Sequence, residues 1–372
     1  MTSLWLDESP PDESAPFEGD TSADVVVVGA GIAGIATAYH LARAGARPLV
    51  LEARSVAEAA SGRNAGFLLA GVADNFVVAM RRYGEDRAHR VWRFTRRNQT
   101  LVREMVGALA IDCDLAWNGS AQIAGDEEEW TEIRESAQRL AREGARVRRV
   151  DSERTAVYAD DGELHPVRYV RGLARAALAS GARIRERTPV TAVAPGEVRT
   201  PHGRIQAGAV VVCVNAYSSS LVPLRIRPVR GQMLATAPLA RRVFERPAYA
   251  HRGYRYWRQR ADGRVLVGGW RDIARDEEVG EEERTTSRVQ AELERFLHAR
   301  APEAVITHRW AGIMGFSHDA LPYVGHLSPG VFVNAGFTGH GLAFATATAE
   351  LVAALVRGAS ATDTDLFAPE RP

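Results

Sequence analysis

The apolar run Asp24-Val-Val-Val-Val-Gly29 leads directly into Gly29-Ala30-Gly31-Ile32-Ala33-Gly34, and this junction restricts the fold more than any other part of the 372-residue chain. A continuous β-branched run that stops at glycine reads as a strand buried on both faces, the habit of parallel sheets. Apolar residues then recur at helical spacing (Ile32, Ile35, Ala36, Tyr39, Leu41, Ala42) until Gly45 marks a stop. Pro48-Leu49-Val50-Leu51-Glu52 follows as a second buried strand, so the segment spells strand, helix, strand with a right-handed crossover. Gly29 permits the tight turn, Gly31 lets backbone approach a pyrophosphate, and Gly34 lets helix and strand pack closely. The helix start offers free N–H groups to an anion. Glu52, about 20 residues on and flanked by Leu51, Ala53 and Arg54, is placed to accept ribose hydroxyls. The pattern asks for a dinucleotide but does not separate NAD from FAD.

Three further segments bear on the ligand. Ala60-Ser61-Gly62-Arg63-Asn64-Ala65-Gly66-Phe67 can offer backbone N–H, hydroxyl and amide donors to a long polar cofactor, or can be a surface loop. Gly336-Phe337-Thr338-Gly339-His340-Gly341 opens an Ala-rich helix from about Leu342 to Val356. Such a turn brings a positive helix end to an anion or an electron-rich ring; alternatively Thr338 is a plain N-cap. Val210–Ala216 is an apolar strand whose end (Cys213, Val214, Asn215, Ala216) falls where a doubly wound sheet meets its ligand.

The rest of the chain frames these segments. Its length suits two packed domains. A net charge of +1 points to neither nucleic acid nor an anionic membrane. Two cysteines, Cys113 and Cys213, without a CxxC pair support neither zinc nor disulfides, and no metal is expected. Met1–Asp20 has no basic n-region or long apolar stretch, and no later run is long enough to span a bilayer, so a cytoplasmic protein is expected. Helical patterns cover Met80–Leu109, Asp126–Gly144, Pro166–Ser180 and Glu281–Arg300, and strands dominate from Arg227 to Trp270. The predicted fold is α/β: a Rossmann-type dinucleotide-binding domain (23–80, 165–218 and 310–372, after an N-terminal arm, 1–22) interleaved with an α+β substrate domain (81–164 and 219–309) on a large mixed or antiparallel sheet.

Candidate substrate-pocket residues lie in Tyr254-Arg255-Tyr256-Trp257-Arg258 and at Trp270. Strand alternation puts Tyr254, Tyr256 and Arg258 on one face, with Arg255 and Trp257 on the other. An aromatic box suits an amine; ordinary sheet packing explains the same residues equally well. His340 sits in the C-terminal turn, where shaping that turn or touching the cofactor explains it better than acid–base work.

Together the segments resemble the FAD-dependent D-amino-acid oxidase (DAO) superfamily, in its glycine/sarcosine oxidase-like branch, and most of all the γ-glutamylputrescine oxidase-type amine oxidases. The conjunction of Ser61-Gly-Arg-Asn64 with Gly336-Phe-Thr-Gly-His-Gly341 carries the likeness. Trp5, Val212–Tyr217, Gln232-Met233, Trp310-Ala-Gly312 and Leu321-Pro322 extend it over most of the chain. The resemblance implies noncovalent FAD, with Glu52 on the AMP ribose and Gly31–Gly34 on the pyrophosphate. It puts Val190 against adenine, Ala60–Phe67 along the ribityl chain and flavin ring, and Gly336–Gly341 at the pyrimidine end. Covalent attachment elsewhere in the family uses a Cys near the flavin or a His in the N-terminal loop. Here Gly312-Ile-Met314-Gly315-Phe316 holds no Cys, and Ser61–Asn75 holds no His. The resemblance further implies oxidation of an amine C–N bond: hydride passes from the α-carbon to flavin N5, the imine is hydrolysed, and oxygen or another acceptor takes the electrons. Two usual lysines are missing, however. Ala343 stands where one would grip a substrate carboxylate, and Leu266-Val-Gly-Gly-Trp270 lacks the other. The alternatives are an amino-acid oxidase or dehydrogenase that uses an arginine of Tyr254–Arg258 for the carboxylate, a flavin-binding electron-relay subunit, and a nicotinamide dehydrogenase.

Overall fold

The computed structural model describes residues 2–11 and 17–371, so residues 12–16 of the expected N-terminal arm lie outside the described residues. Two eight-stranded sheets organise the chain. In the first, five strands run parallel in the order Val331–Ala335, Gly203–Val212, Thr21–Val28, Pro48–Leu51, Arg183–Arg185. Tyr323–Ser328 adds antiparallel at one edge. The hairpin Ala192–Ala194/Glu197–Thr200 folds back on Gly203–Val212. Val25–Val28, Pro48–Leu51 and Val331–Ala335 are buried at every position, which is why they are apolar without alternation. Helices Ile32–Arg43, Pro166–Ala179 and Gly341–Val356 cover one face and contribute Ile35, Leu41, Leu173 and Phe344 to the largest core. Val26, Val28, Val210 and Val212 point the other way, into a second core closed by Phe17, Val222 and Leu224.

The second sheet runs Ile306–Phe316, Arg227–Thr236, Val265–Gly269, Arg255–Gln259, Ala248–Ala250, Ser120–Ile123, Thr155–Tyr158, Val147–Val150. Every pairing is antiparallel except that of Ala248–Ala250 with Ser120–Ile123. The mixed or antiparallel sheet expected from the sequence is therefore present, with one boundary displaced. Ile306–Phe316 pairs with Arg227–Thr236 along its length, so residues 310–316, expected in the dinucleotide-binding domain, belong to the second sheet.

Two helix boundaries also differ from expectation. The helical stretch Met80–Leu109 is two helices, Phe76–Tyr83 and Glu85–Ala108, because Gly84 takes φ +83° and turns the chain between them. The helix expected from Glu281 begins at Ser287, since Gln232 Oε1 captures the Thr286 N–H at 2.9 Å and holds the preceding residues out of the helix. Among the described residues, no helix is long and apolar enough to cross a membrane.

Candidate active site

A cavity of about 400 Å³ lies between the sheets, beginning at the carboxyl ends of the parallel strands, where Val28, Leu51 and Cys213 open onto it. This is the binding position of open α/β sheets, and the volume falls in the usual range for small-molecule sites. At this end the wall is mostly backbone. Gly29 turns the chain out of its strand at φ +99° and donates to Leu51 O at 2.8 Å. A Cβ on Gly34 would stand 1.9 Å from Gly29 O, so only glycine lets the helix seat on the turn. One on Gly31 would stand 2.9 Å from Ser61 Oγ, which accepts the Ile32 N–H at 2.9 Å and ties the second loop to the helix start.

The Glu52 carboxylate spans two backbones, accepting from Ala30 N at 2.7 Å and Arg54 N at 2.8 Å. Burial pushes its pKa up, and the two N–H bonds oppose that shift. A desolvated carboxylate on the cavity wall, with lone pairs to spare, is suited to accept hydroxyl donors. Pro189 and Val190 line the wall beside it.

Ala60–Phe67 forms the next stretch of wall, but its polar side chains largely shape the loop itself. Asn64 Nδ2 donates to Ser61 O at 2.8 Å, and its Oδ1 accepts the Gly66 N–H at 2.8 Å. Buried Arg63 donates to Glu58 O and Ala311 O and pairs with Glu283 at 3.3 Å. The N–H groups of Asn64 and Ala65 have no partner among the described residues, and both residues line the cavity. These free donors, the Glu52 acceptor and the glycine turn are the donor and acceptor set a long polar dinucleotide requires.

The C-terminal turn closes the wall. Asn215 Oδ1 accepts the N–H groups of Gly336 (3.0 Å) and Phe337 (3.2 Å), locking the turn to the end of the central strand. The Gly341–Val356 helix has no side-chain cap at His340. Thr338, a candidate cap, instead directs its hydroxyl to Ser317 and Gly336. Gly341, Leu342 and Ala343 thus present an uncapped, positive helix end to the cavity.

Four expected cofactor residues stand behind the wall. Gly34 seats the helix on Gly29. Ala30 is buried, with its N–H spent on Glu52. Gly62 packs against Ala57 O, Val167 and Leu6, and Gly336 against Tyr323 and Ile226. The other expected positions, including Met314, Gly312 and the strand end Cys213–Ala216, line the cavity.

The far end is built from side chains. Tyr256, Tyr249, Arg252, Gly253, Arg271, Phe316 and His340 line it. Tyr249 and Tyr256 face each other across neighbouring strands with rings 5.7 Å apart, and His340 stacks on Tyr249 at 6.1 Å. Burial pushes the Tyr256 hydroxyl up to about 12, pushes Tyr249 up as well, and pulls the His340 imidazole down, so all three are neutral near neutral pH.

Of the seven pocket candidates read from the sequence, Tyr256 and His340 reach this wall. Arg258, 2 % exposed, lies further along the same strand face. It donates to the carbonyls of Ala65, Gly66 and Leu164 and pairs with Glu163 at 3.3 Å. Trp257 and Trp270 pack on Phe296 in a separate core. Arg255 pairs with Asp272, and Tyr254 lies under Arg271 and Arg275. Sequence reasoning missed Tyr249, although it stands directly opposite Tyr256 in register. It also missed Arg271, which follows Trp270 at φ +59° and obeys no strand period. The Arg271 guanidinium lies 4.2 Å from the Tyr254 ring centroid and 5.0 Å from that of Phe316, and no acceptor or carboxylate pairs with it among the described residues.

Comparison with known proteins matches this architecture. The family described as "DAO: FAD dependent oxidoreductase" matches residues 24–355. Gamma-glutamylputrescine oxidoreductase of Escherichia coli (strain K12) is 30% identical over 376 residues, covering 92% of this chain and 86% of that protein. Glycine oxidase of Bacillus licheniformis is 25% identical over 372 residues, covering 90% and 93%. The crystal structure of glycine oxidase from Geobacillus kaustophilus superposes with a TM-score of 0.81 at 23% identity, over 94% of this chain and 99% of that one. The chain is an enzyme of the DAO family of FAD-dependent oxidoreductases.

Proposed function

We propose that the enzyme oxidises the C–N bond of a small amine. The observation that carries this reading is the wall of Tyr249, Tyr256 and His340: aromatic, neutral, and without a lysine or carboxylate able to act as a strong base. FAD, when bound, supplies the two-electron oxidant for removing a hydride from the carbon that carries nitrogen. The chain's own task is then to orient that carbon and exclude water. The tyrosine hydroxyls hold their protons and serve as fixed donors. Uncompensated Arg271 disfavours a second cation nearby, so the wall favours the neutral amine, the form able to release hydride. Water hydrolyses the imine product, and oxygen or another acceptor removes the electrons. The named activities of the relatives, on γ-glutamylputrescine and glycine, support an amine or amino-acid substrate.

On this reading Glu52 takes the ribose hydroxyls, the Gly31 turn the pyrophosphate, and Ala60–Phe67 the ribityl chain and ring. The FAD is held without a covalent bond, since burial pushes the Cys213 and Cys113 thiols up to about 12 and leaves no thiolate for attachment. Acid precipitation checks this: the colour leaves with the supernatant, and a yellow pellet overturns it.

A second reading, an amino-acid oxidase or dehydrogenase, is favoured by Arg271, whose guanidinium on the cavity wall has no acceptor among the described residues. An anaerobic panel of alkylamines, diamines and amino acids, read by loss of flavin absorbance, tests both. Bleaching by alkylamines or diamines alone favours the first, and by amino acids alone the second. A flavin that dithionite reduces but no amine does would leave the electron-relay reading.

A further inference from the structure

Five successive carbonyls of the cofactor loop are each held from the side away from the cavity. Gly62 O accepts from Ser3 Oγ at 2.5 Å, Arg63 O from Trp310 Nε1 at 2.9 Å, and Asn64 O from Trp5 Nε1 at 2.8 Å. Ala65 O and Gly66 O accept from Arg258 Nη1 at 3.1 and 3.0 Å. Peptides are planar and trans, so a carbonyl fixed on one side directs the N–H of the following residue to the other. The two N–H groups left without a partner, those of Asn64 and Ala65, follow carbonyls held by Trp310 and Trp5.

Two of the four donors come from the short helix Leu4–Asp7 and its cap, ahead of the first strand of the nucleotide sheet. The Trp5 side chain is 0 % exposed. Its ring lies 5.2 Å from the guanidinium carbons of both Arg258 and Arg260 and meets His165 edge-on at 4.8 Å. Glu8 anchors the same turn to Arg260 at 2.8 Å. Leu6 packs so closely on Gly62 that a Cβ there would lie 3.1 Å from its methyl. Solvent protection alone would need an apolar side chain at Trp5. An indole N–H and a hydroxyl aimed at two carbonyls of one loop do more, because they set its conformation.

We propose that Ser3 and Trp5 are positioning residues for FAD: the N-terminal arm presets Gly62–Gly66 with its free N–H groups turned to the cofactor. None of the described residues of the arm lines the cavity, so it acts through the loop. Reciprocity follows, since whatever the arm adds to FAD affinity, bound FAD adds to docking of the arm.

The test uses the full-length chain. Trp5→Phe keeps an aromatic face toward the two guanidinium groups but removes the N–H together with part of the buried indole, and Ser3→Ala removes the other donor together with the cap it provides to Leu6 N. Titration of apoprotein with FAD, read by quenching of FAD fluorescence, is expected to show about tenfold weaker binding for each variant. The thermal midpoint of the apoprotein should fall less than that of the holoprotein, since the lost packing and cap weaken both states and the loss of FAD affinity weakens only the second. An unchanged FAD dissociation constant overturns the proposal, as does an equal fall in apo and holo midpoints. Hydrogen exchange on the wild-type protein is the independent measurement. Amides of residues 4–8 are expected to exchange more slowly once FAD is added, and equal exchange with and without FAD also overturns the proposal.

Discussion

The two ends of the cavity are made in opposite ways. The nucleotide end is backbone: a glycine turn, a helix start, and Glu52 suspended between two N–H groups, all within residues 28–54. The far end is side chains: Tyr249 and Tyr256 come from neighbouring strands of the second sheet, Arg271 from a short helix and His340 from a turn. A shape set by backbone tolerates few substitutions and serves a constant ligand. A wall of side chains on sheet strands can exchange residues without disturbing the frame, and suits a ligand that varies.

The contrast predicts where damage falls. Arg258→Ala leaves Glu163 buried without its cation and frees the Ala65 and Gly66 carbonyls, so stability should fall by about 3–5 kcal/mol. A thermal melt checks this. A variant of wild-type stability with a raised KM would return Arg258 to the substrate wall and break the contrast. Gly34→Ala forces a methyl into Gly29 O and should cost about 3 kcal/mol together with most of the bound flavin. The measurement is the ratio of flavin to protein absorbance after purification.

Smaller, sharper effects follow. Glu52→Ala should weaken FAD binding by about 2–3 kcal/mol, the worth of charge-assisted bonds to hydroxyls. The apoprotein should lose little, because the desolvated carboxylate is itself a burden there. An apoprotein destabilised as much as FAD is weakened would make Glu52 a structural brace. Arg271→Gln should leave FAD binding intact and raise KM for carboxylate-bearing amines about thirtyfold, near 2 kcal/mol, with amines lacking a carboxylate unaffected. If all substrates suffer alike, Arg271 shapes the wall instead of reading the substrate.

The legibility of each end follows from the same contrast. Gly29, Gly31, Gly34 and Glu52 were readable because backbone geometry imposes residue types at fixed spacing. Arg255 and Arg258 attracted attention by lying in an aromatic strand, yet one pairs with Asp272 and the other faces a loop. Strand alternation gives the face but not what lies over it.

The sequence alone determined that a strand–helix–strand unit opens the chain, that its turn suits a pyrophosphate, and that a second glycine turn opens a late helix. These are local features, and local sterics dictate their residues. Only the tertiary structure decided that Ile306–Phe316 joins the second sheet, that Tyr249 stands opposite Tyr256, that Arg271 rather than Arg258 reaches the cavity, and that Ser3 and Trp5 brace the loop 59 residues on. Except for the local hairpin that sets Tyr249 opposite Tyr256, each of these depends on contacts between distant segments. Such pairing is selected by the packing of whole sheets and leaves no period in the sequence to read.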